Sequence, residues 1–138
     1  MQINVYTDGG SRQNPGHSGY GLVIYGDHKK ILFKEAKYLG IKTNNEAEYM
    51  ALIGALEWIS SNIEKYHFTQ INFFSDSQLM VRQLQHLYKV KAANLKPLFT
   101  TVQNFLTQIN TPYLFKDVTR EFNQLADELA NKAMDRQS

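Results

Sequence analysis

The sequence predicts an α/β domain in which a mixed five-stranded sheet packs against helices, with the elements in the order βββαβααβα. Residues 3–8 alternate between apolar and polar side chains, a period of two that is typical of a strand. After Thr43 the apolar residues recur at helical spacing instead. The 138 residues, 43% of them hydrophobic, are enough for one core, and we expect a single domain over residues 1–138.

The first forty residues are predicted to form an antiparallel meander, because short turns join successive strands. The first strand runs from Ile3 to Asp8, and a turn rich in Gly, Ser, Asn and Pro follows from Gly9 to Gly19. The second strand lies around Tyr20 to Tyr25 and the third runs from Ile31 to Leu39, with a turn at Gly26-Asp27 between them.

A helix is predicted to begin at Thr43. Thr43-Asn44-Asn45-Glu46 matches the capping box, in which the first and fourth residues cap each other's backbone N–H groups. Small and apolar residues then form one stripe at helical spacing, which ends at about Ser60: Ala47, Met50, Ala51, Gly54, Ala55 and Trp58.

The remaining elements complete the α/β pattern. They are, in order, a strand over Gln70 to Phe74, helices over Gln78 to Gln85 and Leu95 to Leu106, a strand over Tyr113 to Val118, and a helix over Gln124 to Met134. Pro97 falls in the first turn of its helix, where proline is tolerated. Asn123 is the expected cap of the last helix.

The composition excludes several classes of protein. Cys is absent, so disulfide frameworks, thiolate metal sites and thiol nucleophiles are excluded. No apolar run approaches the ~18 residues of a membrane helix, because Glu57 interrupts the best candidate, Tyr49 to Ile59. The first residues show no signal-peptide pattern. We therefore expect a soluble, cytoplasmic protein.

Positive charge is concentrated in one stretch of the chain. The net charge is only +2, yet residues 77–116 contain no Asp or Glu and five basic residues, Arg82, Lys89, Lys91, Lys96 and Lys116. Two interpretations stay open at this point. The stretch is either an ordinary solvated face or a surface for a polyanion, since Lys and Arg make most protein contacts to phosphate.

Two predicted strands end in the same local pattern. Residues 3–8 read Ile-Asn-Val-Tyr-Thr-Asp and residues 71–76 read Ile-Asn-Phe-Phe-Ser-Asp. If the strands are adjacent and parallel, Asp8 and Asp76 emerge at one edge and on one face of the sheet, where α/β domains usually bind ligands. The alternative is that each Asp only forms a turn or caps a helix, as Asp76 could do for the helix at Gln78.

Glu48 and Asp127 lie near the starts of two predicted helices, each among alanines. An acid there stabilises the helix dipole by only ~0.3–1 kcal/mol, which explains either residue alone. If these two converge with Asp8 and Asp76, the four carboxylates repel one another and need a cation. Oxygen ligands without Cys or a nearby His favour Mg²⁺ or Mn²⁺ over Zn²⁺, and a pair of such ions suits displacement at phosphorus.

Four motifs in a fixed order carry a resemblance to a known family. They are Tyr-Thr-Asp-Gly-Gly-Ser at 6–11 with Asn-Pro-Gly at 14–16, Thr-Asn-Asn-Glu-Ala-Glu at 43–48, Phe-Ser-Asp-Ser at 74–77, and Asn-Gln-Leu-Ala-Asp-Glu-Leu-Ala at 123–130. Together they are specific, and the sequence resembles ribonuclease H of type I over nearly its whole length. The resemblance implies a mixed sheet whose first three strands are antiparallel and whose last two are parallel to the first, with helices on both faces.

The resemblance also implies an activity. Members of the family are metal-dependent endonucleases that hydrolyse the RNA strand of an RNA–DNA hybrid and leave 5′-phosphate and 3′-hydroxyl ends. The family's metal-binding acids correspond to Asp8, Glu48, Asp76 and Asp127, which would hold two Mg²⁺ ions, with Mn²⁺ as the other candidate. We expect a monomer whose partner is the hybrid duplex and not a membrane.

The expected substrate contacts follow from the same resemblance. Residues that correspond to contacts in the minor groove of the hybrid, where 2′-hydroxyls distinguish RNA, are Gly9, Gly10, Ser11, Asn14, Asn44 and Asn45. Thr43 and Asn94 correspond to residues that hold a DNA phosphate, and Lys89, Lys91 and Lys96 would flank the DNA strand.

Three departures from the family pattern indicate a short form. The loop at residues 118–123 has no His, and Arg120 and Glu121 occupy that neighbourhood. A short Lys-bearing linker replaces the long basic protrusion of some members, which predicts modest and salt-dependent affinity for the hybrid. We also expect no hybrid-binding module before Ile3.

Two other functions stay open from the sequence. A non-catalytic binding module could use the same scaffold, although a decayed site has no reason to keep four mutually repelling acids. The wider superfamily of integrases, transposases and junction resolvases places three acids on a similar sheet, but without the context seen at Thr43 to Glu48.

Overall fold

The computed structural model describes residues 1–136, which form a five-stranded mixed sheet and four α-helices in the predicted order. The strands are β1 (Gln2–Ser11), β2 (Gly16–Tyr25), β3 (Ile31–Lys42), β4 (Gln70–Ser75) and β5 (Tyr113–Asp117). The α-helices are α1 (Asn44–Tyr66), α2 (Gln78–Leu84), α3 (Lys96–Ile109) and α4 (Gln124–Asp135), and short 3-10 helices cover Asp27–Lys29 and Arg120–Phe122. None of the helices described is long and apolar enough to cross a bilayer.

The sheet has the strand order β3-β2-β1-β4-β5. β2 pairs antiparallel with both β1 and β3, whereas β4 is parallel to β1 and β5 is parallel to β4. The fold class predicted from the sequence is therefore confirmed. The two strands predicted to end in Asp, β1 and β4, are direct neighbours in the sheet, with Asp8 inside β1 and Asp76 directly after β4.

Helices cover both faces of the sheet, as expected, and alternate residues of β2 identify the two faces. Tyr20 faces α1, where Gly54 leaves room for its ring, and Gly21 faces α4 at Ala126. The main core lies between the sheet and α1, and α3 packs on α1. Its fully buried side chains include Val5, Leu22, Leu52, Leu56 and Ile71.

The predicted turn from Gly9 to Gly19 is too long. β1 continues to Ser11 and β2 begins at Gly16, and Ser11 pairs with Ser18 across the two strands. The glycines resemble a turn in composition, but they are strand residues at which helices approach the sheet closely. The true connection is residues 12–15.

The helix predicted to end near Ser60 extends to Tyr66. Its last turns are held by an aromatic cluster, because the Trp58 and Tyr66 rings lie 5.8 Å apart and the Tyr66 and Phe68 rings 5.7 Å apart. The third strand likewise extends past Leu39 to Lys42, and Pro97 lies in the first turn of α3 as predicted.

The two predicted helix caps have different outcomes. At the start of α1 the capping box is confirmed, since Thr43 Oγ1 accepts from Glu46 N at 3.1 Å and Thr43 N donates to Glu46 Oε1 at 2.9 Å. At the start of α4 Asn123 is the N-cap residue as predicted, but its side chain makes no capping bond, and its Nδ2 donates to the Thr7 carbonyl oxygen at 2.8 Å. That bond ties the start of α4 to the end of β1.

The close approach of α4 to β2 leads to a prediction about the stability of a Gly21 variant. A Cβ at Gly21 would lie 2.6 Å from the Leu129 Cβ and closer still to the Ala126 carbonyl oxygen. We expect Gly21→Ala to lower the free energy of unfolding by about 1–3 kcal/mol in urea denaturation, because overpacking displaces α4. Gly10→Ala is the control, since its nearest neighbour is the Met134 Cε at 3.5 Å. Equal stability of the two variants would contradict this packing.

Candidate active site

Asp8 and Asp76 follow the last paired residues of two adjacent parallel strands. The register places Tyr6 beside Phe74 and Thr7 beside Ser75, so the two carboxylates come next at the same edge of the sheet. The Tyr6 and Phe74 rings stack with centroids 4.8 Å apart, which fixes this face of the strand pair. Both carboxylates are therefore carried by a rigid element.

Glu48 reaches this edge from the first turns of α1. Gly9 N donates to Glu48 Oε1 at 2.8 Å, which ties the carboxylate to the end of β1. The helix comes this close because residue 9 has no side chain, since a Cβ there would lie 2.6 Å from Glu48 N and closer still to the Ala47 carbonyl. Among residues 1–136, Asp8, Glu48 and Asp76 offer carboxylate oxygens that all lie within 4.8 Å of one another.

Asp127, the fourth predicted acid, lines the same cavity but lies outside this group of three. It is in the first turn of α4, where its backbone N–H donates to the Asn123 carbonyl at 3.1 Å. Its negative charge helps to raise the pKa of Asp8, which shows that the two carboxylates are close. The cavity has a volume of about 790 Å³ and is open to solvent.

Burial and neighbouring charges raise the pKa of Asp8, Glu48 and Asp76. Burial raises the pKa of Asp8 to about 8, with further contributions from Asp76 and Asp127. Burial also raises the pKa of Glu48 well above its usual range, and the charges of Asp8 and Asp76 add to this effect. A divalent cation in the cavity would offset the repulsion between the ionised groups.

Arg120 is a basic residue of the cavity whose positive charge acts on Glu48 and Asp76. It lines the cavity from the 3-10 helix Arg120–Phe122, and its guanidinium opposes the increase in the pKa of Glu48 and of Asp76. For Asp76 burial is the larger influence, so the pKa of that carboxyl is raised on balance. Arg120 thus supplies positive charge beside the acids of the cavity.

The donor set fits a hard divalent cation. It consists of carboxylate oxygens, and the described residues that line the cavity include no His. Mg²⁺ and Mn²⁺ prefer such oxygen ligands, whereas Zn²⁺ sites in proteins usually contain His or Cys.

The residues expected in the minor groove lie beside the acids. Gly9, Gly10, Ser11 and Asn44 line the acidic cavity. Ser11 N donates to Asn44 Oδ1 at 2.8 Å, and Asn44 N donates to Asn14 Oδ1 at 3.0 Å, so three distant segments are joined there. Asn45 is exposed in the first turn of α1.

Glu46 links Thr43 and Asn94, because its carboxylate interacts with both residues. The pKa of Glu46 is lowered, first by the backbone N–H of Thr43 and to a smaller extent by the Asn94 side chain. The structure thereby places Asn94 near the start of α1, although 51 residues separate it from Thr43. This is the end of a helix that favours phosphate.

The three lysines lie apart from the acids, on the segment between α2 and α3 and at the start of α3. Lys89 and Lys96 line a separate cavity of about 550 Å³, together with His86 and Tyr88. Lys91 is exposed on the same segment. The structure therefore groups the predicted positions into an acidic cavity, a helix start and a basic segment.

Sequence reasoning missed several residues that line the acidic cavity, among them the polar residues Arg12, Asp117 and Asn131. Asp117 ends β5 beside Ser75, so its position at the end of a predicted strand was a usable signal. Arg12, near the N-terminus, forms an ion pair with Asp135 of α4, near the C-terminus. No local pattern indicates this contact.

Comparison with known proteins agrees with this geometry. The family model for RNase H matches residues 1–135. The chain is 38% identical over 136 residues to the bifunctional protein Rv2228c of Mycobacterium tuberculosis, covering 98% of this chain and 36% of that protein. It is 34% identical over 134 residues to ribonuclease HI of Halobacterium salinarum, covering 97% of this chain and 65% of that protein. The chain thus spans about a third of the mycobacterial relative's length.

A solved structure is also similar over the full fold. LC11-RNase H1, isolated from compost by a metagenomic approach, was solved in complex with an RNA/DNA hybrid. It matches with a TM-score of 0.92 and 40% identity, and the match covers 97% of each chain. Because the family match extends over all five strands, all four helices and the acidic cavity between them, this chain belongs to the RNase H family.

Proposed function

We propose that this chain is a metal-dependent endonuclease that hydrolyses the RNA strand of RNA–DNA hybrids by a two-metal-ion mechanism, leaving 5′-phosphate and 3′-hydroxyl ends. The observation that carries this proposal is the compact group of the buried carboxylates of Asp8 and Glu48 with the half-buried carboxylate of Asp76, with Asp127 on the same cavity. Membership of the RNase H family and a similar structure in complex with an RNA/DNA hybrid support the substrate.

Asp8, Glu48, Asp76 and Asp127 are the residues that would hold the ions. When bound, two Mg²⁺ or Mn²⁺ ions lower the pKa of a water and offset the negative charge that develops at the phosphate. The residues themselves supply rigid placement, because Asp8 lies within β1, Asp76 directly follows β4 and the Gly9 N–H holds Glu48. In the reaction a water oxygen bonds to phosphorus, the bond from phosphorus to the 3′ oxygen breaks, and a proton passes to that oxygen.

Recognition of RNA is assigned to the segments beside the acids. Gly9 to Ser11 present backbone close to the cavity, and Asn14, Asn44 and Asn45 present amides that can pair with 2′-hydroxyls and base edges in a shallow minor groove. Thr43 and Asn94 would hold a phosphate of the DNA strand at the start of α1. Lys89, Lys91 and Lys96 would lie along that strand and add salt-dependent affinity.

Asp8 is the first residue to test by substitution. We expect Asp8→Asn to reduce Mg²⁺-dependent cleavage of a labelled RNA–DNA hybrid at least about a hundredfold, because a lost metal ligand removes several kcal/mol of transition-state stabilisation. Glu64→Gln, which neutralises an exposed acid in α1, is the matched control and should retain activity. A matched DNA–DNA duplex should stay intact. Cleavage by Asp8→Asn at the parental rate would defeat the proposal, and an inactive parental protein would favour a binding module.

The raised pKa of Asp8 makes a prediction for the metal-free protein. The unfolded chain ionises Asp8 near pH 3.8, whereas the folded protein retains the proton up to about pH 8. The contribution of this group to stability is therefore complete below pH 3.8 and is lost as the pH rises to about 8. We expect the Tm in EDTA to fall by a few degrees between pH 5 and pH 8, and Asp8→Asn to reduce that fall.

Addition of Mg²⁺ tests the same carboxylates in the metal-bound protein. The ion requires ionised ligands, so the increase in Tm on adding Mg²⁺ should be larger at pH 8 than at pH 5, and smaller in Asp8→Asn. A Mg²⁺ effect that is the same in both proteins would place the bound ion elsewhere.

The basic segment is tested by binding instead of cleavage. We expect Lys89→Glu to weaken hybrid binding about threefold or more at low salt, and to make the dependence of log Kd on log salt shallower, because fewer counterions are released. Fluorescence anisotropy in EDTA measures both quantities without cleavage. Lys34→Glu, on the edge strand β3, makes the same change of charge at another exposed position. Equal effects of the two variants would assign the affinity to overall charge.

A further inference from the structure

The sheet face that carries α4 has a second cavity, which we call the β1–α4 cavity. Gln2, Asn4 and Tyr6 of β1 line it, whereas Asp8 and Gly10 of the same strand line the acidic cavity. Its volume of about 650 Å³ is within the range of small-molecule sites, ~300–1,000 Å³. The proposed hydrolysis makes no use of it.

Aromatic rings form much of the wall of the β1–α4 cavity. Tyr6 and Tyr25 meet edge to face with ring centroids 5.7 Å apart, and both line the cavity. Phe122 lines it from the 3-10 helix and is 69% exposed. Within residues 1–136 the Phe122 ring packs on no other aromatic ring, so one large apolar face stays available to a flat ligand.

The polar wall of the cavity carries an unsatisfied acceptor. Asn123 lines the cavity and is only 2% exposed, yet its Oδ1 accepts no hydrogen bond from any residue of the described range, while its Nδ2 is committed to Thr7. A buried acceptor without a donor is uncommon in folded proteins and destabilises them. α4 begins at the same wall, and its first backbone N–H groups have no side-chain cap. The wall therefore has an unpaired acceptor, which is itself almost fully buried, next to the uncapped backbone donors of α4.

The geometry points to a nucleobase as the ligand of the β1–α4 cavity. A base has a flat π face for Phe122 and the tyrosines, and its edge carries donors and acceptors next to each other, as Asn123 and the start of α4 require. An aliphatic ligand would leave Asn123 Oδ1 unpaired. An anionic ligand gains little, because Asp27 and Glu121 outnumber Lys29 among the charged residues that line the cavity.

The base could belong to a free nucleotide or to an unpaired residue at the end of a hybrid. The second source rests on the proposed function and follows from the short distance along the chain between the two cavities. Arg120 lines the acidic cavity, and Phe122, in the same 3-10 helix, lines the β1–α4 cavity. A single-stranded extension of a hybrid bound at the acidic cavity would therefore have to cross only this 3-10 helix to reach the β1–α4 cavity.

Titration of the full chain with adenosine, guanosine, cytidine and uridine in EDTA tests the site directly. We expect saturable NMR shifts of the Asn123, Gln124 and Asn4 amides, and Phe122→Ala should weaken the apparent affinity about fivefold or more. Phe122 is exposed, so the variant should fold, and circular dichroism checks this. Leu114→Ala is the control, because it truncates an exposed apolar residue of β5 that does not line the cavity.

A second arm of the experiment separates the two sources. Hybrids with and without a four-nucleotide single-stranded extension are compared by anisotropy in EDTA, with the parental protein and both variants. Nucleoside shifts alone indicate a free nucleotide, and an affinity gain from the extension that Phe122→Ala removes indicates an unpaired base. Shifts confined to the acidic cavity, effects equal in Leu114→Ala, or no response in either arm would overturn the proposal. None of these results depends on cleavage, so a failure here is distinct from a failure of the proposed function.

Discussion

The parallel pairing of β1 and β4 is the constraint on which the rest of the site depends. It places Asp8 and Asp76 at one edge of the sheet, where burial raises the pKa of both carboxyl groups and the charge of Asp127 adds to each increase. Such a cluster destabilises the metal-free fold at neutral pH. It persists because the hydrophobic core on the opposite face, centred on residues such as Val5 and Ile71, fixes the two strands independently of their last residues.

Two helices complete the site because small residues let them approach the sheet. Gly9 allows α1 to bring Glu48 to the end of β1, and Gly21 allows α4 to pack over β2. The Asn123 side chain then joins the start of α4 to Thr7, one residue before Asp8. Each acid is therefore positioned by backbone contact between elements and not by its own flexible side chain, which suits a site that binds ions at defined positions.

Local sequence rules succeeded where the cause of a structure is local. The capping box at Thr43, the alternation in β1 and the proline at the start of α3 depend on neighbours within a few residues, and each was predicted correctly. The same rules failed where a distant element decides. The segment from Gly9 to Gly19 was assigned to a turn because of its glycines, although cross-strand pairing makes most of it strand. Asn123 was assigned a side-chain capping bond, but its Nδ2 donates to the Thr7 carbonyl and its Oδ1 accepts no hydrogen bond from the described residues.

The sequence by itself determined the order and type of the elements, the four candidate acids and the resemblance to the RNase H family, because periodicity, capping and ordered motifs are written in neighbouring residues. Only the tertiary structure decided that Asp8, Glu48 and Asp76 form a compact group while Asp127 stands slightly apart, and that Arg120 and Asp117 share their cavity. It also decided that Asn123 is left with an unpaired oxygen beside a second cavity. These facts depend on distances between segments up to 119 residues apart, such as Asp8 and Asp127, which strand pairing and helix packing set and no local pattern encodes.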